Sequence, residues 1–306
     1  MIDFFANKQQ VRRLALICAG VALLVVLITL LIVFFSGNEP QEDPHPSSET
    51  SFNVIPEGMR LYDDLYEGQV IIPDFDVPDN KYDMNAFKTG GDGFLEYKDA
   101  ALGIDVSEFQ GNIDWYAVKA AGVEFAIIRL GYRGMTQGVL NLDQNFAENL
   151  AGASDAGLQL GVYFFSQAVT AKEGEAEAKF VLEQLEGKKL DFPVVFDWED
   201  PVPSEDLPAE TLRALNCPGE TVTAAAKAFC ETIKEGGYTP CVYFNKHQAY
   251  YFYDLDLLKD YEFWYAEYNP RPAVCYHFRI WQYSDQGTVP GIETTVDMNL
   301  CFEPRK

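Results

Sequence analysis

The chain has 306 residues, 48% hydrophobic and 23% charged, which is enough apolar material for one or two domains with a real core and too much for a disordered tail. Its 23 Lys and Arg against 47 Asp and Glu give a formal net charge of -24, so a phosphate backbone is repelled and nucleic acid is excluded as a partner. The charge is unevenly placed: residues 1–13 carry Lys8, Arg12 and Arg13 against Asp3, whereas residues 36–99 and 100–306 are both strongly acidic.

Between the basic end and the acidic remainder runs Leu14 to Phe35, LALICAGVALLVVLITLLIVFF, without a single charge. As a helix it extends roughly 33 Å, enough to cross a bilayer core. It exceeds the ~7–15 apolar residues of a cleaved signal peptide. It also ends in Phe34-Phe35, which is no cleavage site, so an uncleaved anchor is expected. Arg12 and Arg13 precede the run and Glu39, Glu42 and Asp43 follow it. The positive-inside rule therefore makes 1–13 a cytoplasmic tail, 14–35 a single transmembrane helix in contact with the lipid bilayer, and everything beyond extracellular.

Residues 36–51, SGNEPQEDPHPSSETS, have almost nothing to bury and read as a flexible stalk. Residues 52–99 alternate short apolar runs, such as Val70-Ile71-Ile72, with breaks at Pro73, Pro78 and Gly90 to Gly93. Too short to hold a core alone, this stretch reads as an irregular extension packed on the next domain.

From residue 100 to 306 the pattern becomes regular. Eight β-type runs recur at 101–107, 125–132, 159–166, 193–199, 239–246, 262–268, 279–285 and 295–301, and amphipathic stretches near 113–121, 143–156, 173–187 and 219–236 separate the first five. Strand and helix in alternation predict a parallel sheet with crossovers, and eight strands in this length predict a (β/α)8 barrel. The last connections are too short for a full crossover helix, so the barrel is expected to be incomplete on its C-terminal side.

In such barrels chemistry gathers at the C-terminal strand ends. There the first strand offers Asp105 and the fourth Asp197 and Glu199, while the eighth begins with Asp297. Residues i and i+2 of a strand share a face, so Asp197 and Glu199 both project into the barrel mouth and Trp198 points away. Like charges at close range raise at least one pKa, leaving one carboxyl protonated beside an ionised one, as glycoside hydrolysis requires. Tyr163, Tyr243, Trp264, Tyr265, Trp281 and Tyr283 lie at or near other strand ends. They are candidate walls for sugar rings, with core packing as the competing reading. Gln110 and Asp114 are expected to fix the first loop and cap the first helix. The cysteines beyond the anchor, Cys217, Cys230, Cys241, Cys275 and Cys301, form no CxxC pair and read as buried thiols; no metal or other cofactor is called for.

GIDVSEFQGNIDW (103–115), VVFDWED (194–200), FWYAEY (263–268) and WQYSDQGTVPGIETTVDMN (281–299), in this order, resemble the glycoside hydrolase family 25 lysozymes. The resemblance covers about 101–303. It implies a flattened, incomplete (β/α)8 barrel and an N-acetylmuramidase that cuts the β-1,4 bond between N-acetylmuramic acid and N-acetylglucosamine in peptidoglycan. By motif, Glu199 matches the family's general acid/base, Asp197 its partner, and Asp105 and Asp297 the first-strand and V-D-x-N aspartates. Asp197 is expected either to orient the substrate's acetamido group or to support the cationic centre directly. Where members often carry Tyr-His on the third strand, this chain has Tyr163-Phe164. The expected protein is a monomer tethered to the membrane, its barrel facing peptidoglycan glycan strands. The alternatives are an inactive wall-binding module and a glycosidase acting on chitin-like polymers.

Overall fold

Side chains that alternate between two apolar environments specify strands covered on both faces, and eight such segments close into one barrel. The computed structural model describes residues 54–91 and 93–303. The anchor run 14–35, the tail and the stalk lie outside the described residues; among those described, no helix is long and apolar enough to cross a membrane.

The strands are β1 (Met59–Asp64), β2 (Gly68–Pro73), β3 (Lys88–Thr89), β4 (Leu95–Glu96), β5 (Ala101–Val106), β6 (Phe125–Arg133), β7 (Leu140–Leu142), β8 (Gln159–Ser166), β9 (Val194–Trp198), β10 (Pro240–Asn245), β11 (Glu262–Ala266), β12 (Ile280–Gly287) and β13 (Val296–Cys301). The helices are α1 (Trp115–Ala120), α2 (Phe146–Asp155), α3 (Ala171–Leu185), α4 (Gly219–Glu235) and α5 (Lys246–Tyr251). The barrel runs β5-β6-β8-β9-β10-β11-β12-β13 and closes on β5, with β7 hanging antiparallel on β6. Its staves are the eight strands expected from the sequence.

One expectation is corrected. The sheet is not wholly parallel: β13 runs antiparallel to both β12 and β5. The few residues between β12 and β13 cannot carry a crossover helix, so the chain turns straight back. No helix lies between β11 and β13, and the barrel is to that extent incomplete.

Inward side chains are stacked in layers, with Ala101, Phe125, Phe192, Val195, Cys241, Ile280 and Cys301 among those filling the interior. Phe125 and Phe192 stack with ring centroids 4.3 Å apart. Gly103 leaves the room that the Phe125 ring occupies, since any Cβ there would overlap the ring. Outward side chains pack under the helices, where α3 and α4 come close because Gly174 lies against the Ala225 backbone.

The segment before the barrel is more ordered than expected. β1 and β2 pair as an antiparallel hairpin, and β3 pairs with β4. The segment covers the barrel wall that lacks helices: Tyr82 stacks on Phe302 at 4.0 Å, Phe87 meets Trp281 edge-on at 5.4 Å, and the Tyr276 hydroxyl donates to the Pro73 carbonyl. Full burial of a ring contributes about 1.5–3 kcal/mol, and the partly buried Tyr82, Phe87 and Phe302 contribute a fraction of that. The cysteines of the barrel are free, and all but Cys217 are buried.

Candidate active site

Alternation along each stave decides which side chains meet inside the barrel. On β5 the inward series ends in Asp105, on β9 in Asp197, and on β13 it starts with Asp297. Because β13 is antiparallel, its beginning lies at the rim where the parallel strands end, and Asp297 sits opposite Asp105 in register. Glu199 follows β9 at the same rim. All four carboxylates line one pocket of about 230 Å³, together with Tyr163, Tyr243, Trp264, Gln282 and Arg129. Trp198 points the other way, as its alternation requires, and donates its indole N–H to the Ala168 carbonyl.

The six predicted aromatic walls divide evenly. Tyr163, Tyr243 and Trp264 line the pocket. Tyr265, Trp281 and Tyr283 do not, and their assignment as substrate-binding residues is corrected. They occupy the odd register of β11 and β12, which faces outward. Tyr265 donates to Glu267 Oε2 at 2.7 Å, Trp281 donates to the Glu267 carbonyl at 2.9 Å, and the Tyr283 hydroxyl accepts from Leu95 N. Glu267, in the loop after β11, takes the first two, and Leu95 of the residue 54–99 segment, which covers this wall in place of helices, takes the third.

Two amides that the sequence reading left without roles organise the floor of the pocket. Gln282, 3% exposed, donates from Nε2 to Asp105 Oδ2 (2.9 Å) and Asp297 Oδ2 (3.3 Å). Its Oε1 accepts from the hydroxyls of Tyr243 and Tyr268, both at 3.0 Å. Asn299 donates to Asp105 Oδ2 at 2.7 Å and accepts from Trp264 Nε1 at 2.8 Å. Their inward register, two residues from Ile280 and Asp297 respectively, was the available signal. Arg129 and Tyr268 were missed as well. Arg129 is held by Asp143 (2.7 Å) and Glu108 (3.0 Å), its guanidinium over the Phe109 ring. Gln110 and Asp114 act as expected: the former closes a capping box with Ser107 and the latter caps α1.

Crowding and burial set the protonation of the carboxyls. Withdrawal from water, reinforced by Asp297, holds Asp105 far above the usual carboxylate range, and Asn299 and Gln282 oppose this by donating to it. Asp297 is pushed up to about 6, chiefly by burial, while its hydrogen bond with Asp105 favours its ionised form. Burial and mutual repulsion thus favour one shared proton on the Asp105–Asp297 pair. Burial also drives Asp197 well up, with Glu199 and Asp105 adding like charge and Arg129 opposing. One carboxylate oxygen of Asp197, Oδ1, is buried without a hydrogen-bond partner. Glu199 remains open to solvent at the rim, but the protein around its carboxyl, and then Asp297 and Asp200, raise its pKa. A carboxylic acid that reaches solvent beside a buried acid cluster is suited to handing a proton to a bound oxygen and taking one back.

Relatives agree with this architecture. A sequence profile of the Glycosyl hydrolases family 25 matches residues 104–292. The chain is 28% identical over 203 residues to the autolytic lysozyme of Clostridium acetobutylicum, covering 66% of this chain and 56% of that protein. In fold it is similar to the modular autolysin LytC of Streptococcus pneumoniae (TM-score 0.58, 23% identity, 81% of this chain and 57% of that one). It is similar also to a family 25 glycosyl hydrolase of Bacillus anthracis (TM-score 0.54, 23% identity, 66% of this chain and 89% of that one). The chain thus spans little more than half the length of the first two. With the profile covering most of the barrel, from β5 to the turn before β13, the chain belongs to the Glycosyl hydrolases family 25.

Proposed function

We propose that the chain is a lysozyme, an N-acetylmuramidase that hydrolyses the β-1,4 bond between N-acetylmuramic acid and N-acetylglucosamine in peptidoglycan. The observation that carries this reading is the convergence of Asp105, Asp197, Glu199 and Asp297 in one pocket, with Glu199 at its solvent-facing rim. The names of the relatives support the substrate class: one is an autolytic lysozyme, and LytC was also solved with a synthetic peptidoglycan ligand.

In this reading Glu199, protonated by virtue of its raised pKa, gives its proton to the departing glycosidic oxygen as the bond to C1 breaks. Asp197 faces the cationic side. Its unpartnered Oδ1 is an acceptor lacking a donor, and the N–H of a 2-acetamido group supplies one. So oriented, the acetamido carbonyl oxygen bonds to C1; water then attacks C1, returning its proton to Glu199 and releasing the acetamido group. Asp105 and Asp297, joined through Gln282, keep the floor acidic, and Tyr163, Tyr243 and Trp264 supply ring faces for sugar. The apolar run 14–35 tethers the barrel to the cell membrane through the stalk, N-terminus inside, and restricts cutting to glycan within reach.

Mass spectrometry of borohydride-reduced products tests this. Incubation of the full chain with peptidoglycan should create new muramitol ends and little product from chitin. New glucosaminitol ends, or equal cleavage of chitin, would overturn the substrate assignment.

A further inference from the structure

The hairpin of β1 and β2 precedes the part of the chain that the family profile covers, yet its turn reaches the active-site rim. Asp64 and Glu67, on either side of that turn, meet Lys246 at 3.0 and 3.1 Å, directly after β10. Lys246 also faces Glu267, at 3.4 Å, directly after β11. The Tyr66 hydroxyl donates to the Arg271 carbonyl (3.0 Å) and accepts from the Arg271 N–H (3.1 Å), while the Tyr62 hydroxyl donates to the Ala273 carbonyl (3.0 Å). The hairpin thus grips the loop formed by residues 267–273 directly at Arg271 and Ala273, and reaches its Glu267 end through the shared Lys246. That loop carries Tyr268, half exposed, which lines the acidic pocket and donates to Gln282 Oε1. The loop is closed on itself by the Ala273 N–H and the Asn269 side-chain amide, which both donate to the Glu267 carboxylate, and the hairpin adds the contacts that fix its far half, Arg271 to Ala273.

We infer that the β1–β2 hairpin is a specificity-determining prop of the active site: by holding residues 267–273 it fixes Tyr268 as a wall against which a sugar ring of the glycan is placed. This rests on the glycosidase reading above. The tyrosines of the hairpin are positioning residues acting through Tyr268, and the reacting atoms are out of their reach. The geometry ties substrate binding to a segment outside the family profile, so glycan preference varies with that segment while the carboxylate chemistry stays the same.

The test uses the full chain with Tyr62→Phe and Tyr66→Phe combined, which keeps both rings and removes three hydrogen bonds. Amide hydrogen exchange at residues 267–273 should become roughly 10-fold faster, with β5 and β9 unchanged. For glycan hydrolysis, KM should rise about 3- to 10-fold with kcat within about two-fold. Tyr268→Ala should raise KM similarly, and adding the two Phe changes to it should have no further effect. Unchanged exchange, a loss confined to kcat, or KM effects that multiply in the triple variant would each overturn the inference. Should the double variant fail to fold, Tyr66→Phe alone, at a half-exposed site, gives the same readouts. A wild-type chain without turnover would refute the glycosidase reading instead, and the exchange measurement would still decide whether the hairpin holds the loop.

Discussion

Replacing Gln282 by Leu keeps the volume of the side chain and removes a four-way junction. Two of its contacts involve groups that water can reach again, Asp297 at the pocket edge and half-exposed Tyr268. The other two are buried: the Tyr243 hydroxyl loses its acceptor, and Asp105 keeps only the Asn299 donor. At about 1–3 kcal/mol for each buried group left short, and with Asp105 toward the low end because Asn299 still donates to it, the loss of stability is about 2–4 kcal/mol. For a domain of this size that lowers Tm by roughly 5–15 °C. The same change removes a donor that favours ionised Asp105, so the Asp105–Asp297 pair gives up its proton at higher pH, and the limb of the kcat/KM profile that reports this pair moves to higher pH. Circular dichroism melting and a reducing-sugar pH profile read both effects. A variant that melts within about 1 °C of wild type and retains its profile would refute the role of Gln282 as the junction of the pocket.

The pH dependence of stability follows from the same cluster. Burial pushes Asp297 up from the ordinary aspartate value of 3.8 to about 6, so the folded state holds this proton more tightly than the unfolded chain. Its contribution is fully present below the unfolded value and is lost as pH rises through the folded one. Stability should therefore fall between about pH 4 and 6, by at most about 3 kcal/mol from this group, with melting temperature falling in step, and Asp297→Asn should flatten the dependence. A steeper dependence in the variant would contradict the assignment. Tyr283→Phe, on the outward face of β12, should leave KM and kcat within about two-fold of wild type and cost about 1 kcal/mol through its contact with Leu95. Steady-state kinetics that show a large KM increase would return Tyr283 to the glycan.

How much of this was legible depended on whether the signal was local. The eight staves were legible because period-two alternation survives without knowledge of the partner strand. Asp197 and Glu199 were legible for the same reason, since two acids flanking Trp198 cannot both be solvated on a buried strand except at its end. The direction of β13 is a property of the connection before it, and the short span after β12 already pointed to an irregular return. Tyr265, Trp281 and Tyr283 misled because an aromatic residue next to an inward one looks equally suited to a sugar; only the register places it outside. The outward aromatics also have a cover, the residue 54–99 segment, that pattern alone could not dock. Gln282 and Asn299 carry no charge to attract notice, and their importance comes from five strands meeting at one point.

The central claim is that Glu199 supplies the proton for glycosidic cleavage. Glu199→Gln in the full chain removes that proton at a solvent-facing position and keeps the size and shape of the side chain, so Tm should stay within about 2 °C of wild type. Release of muramitol-ended products from peptidoglycan should fall by about 10²–10⁴-fold. A Glu199→Gln chain that releases those products at the wild-type rate would contradict the account.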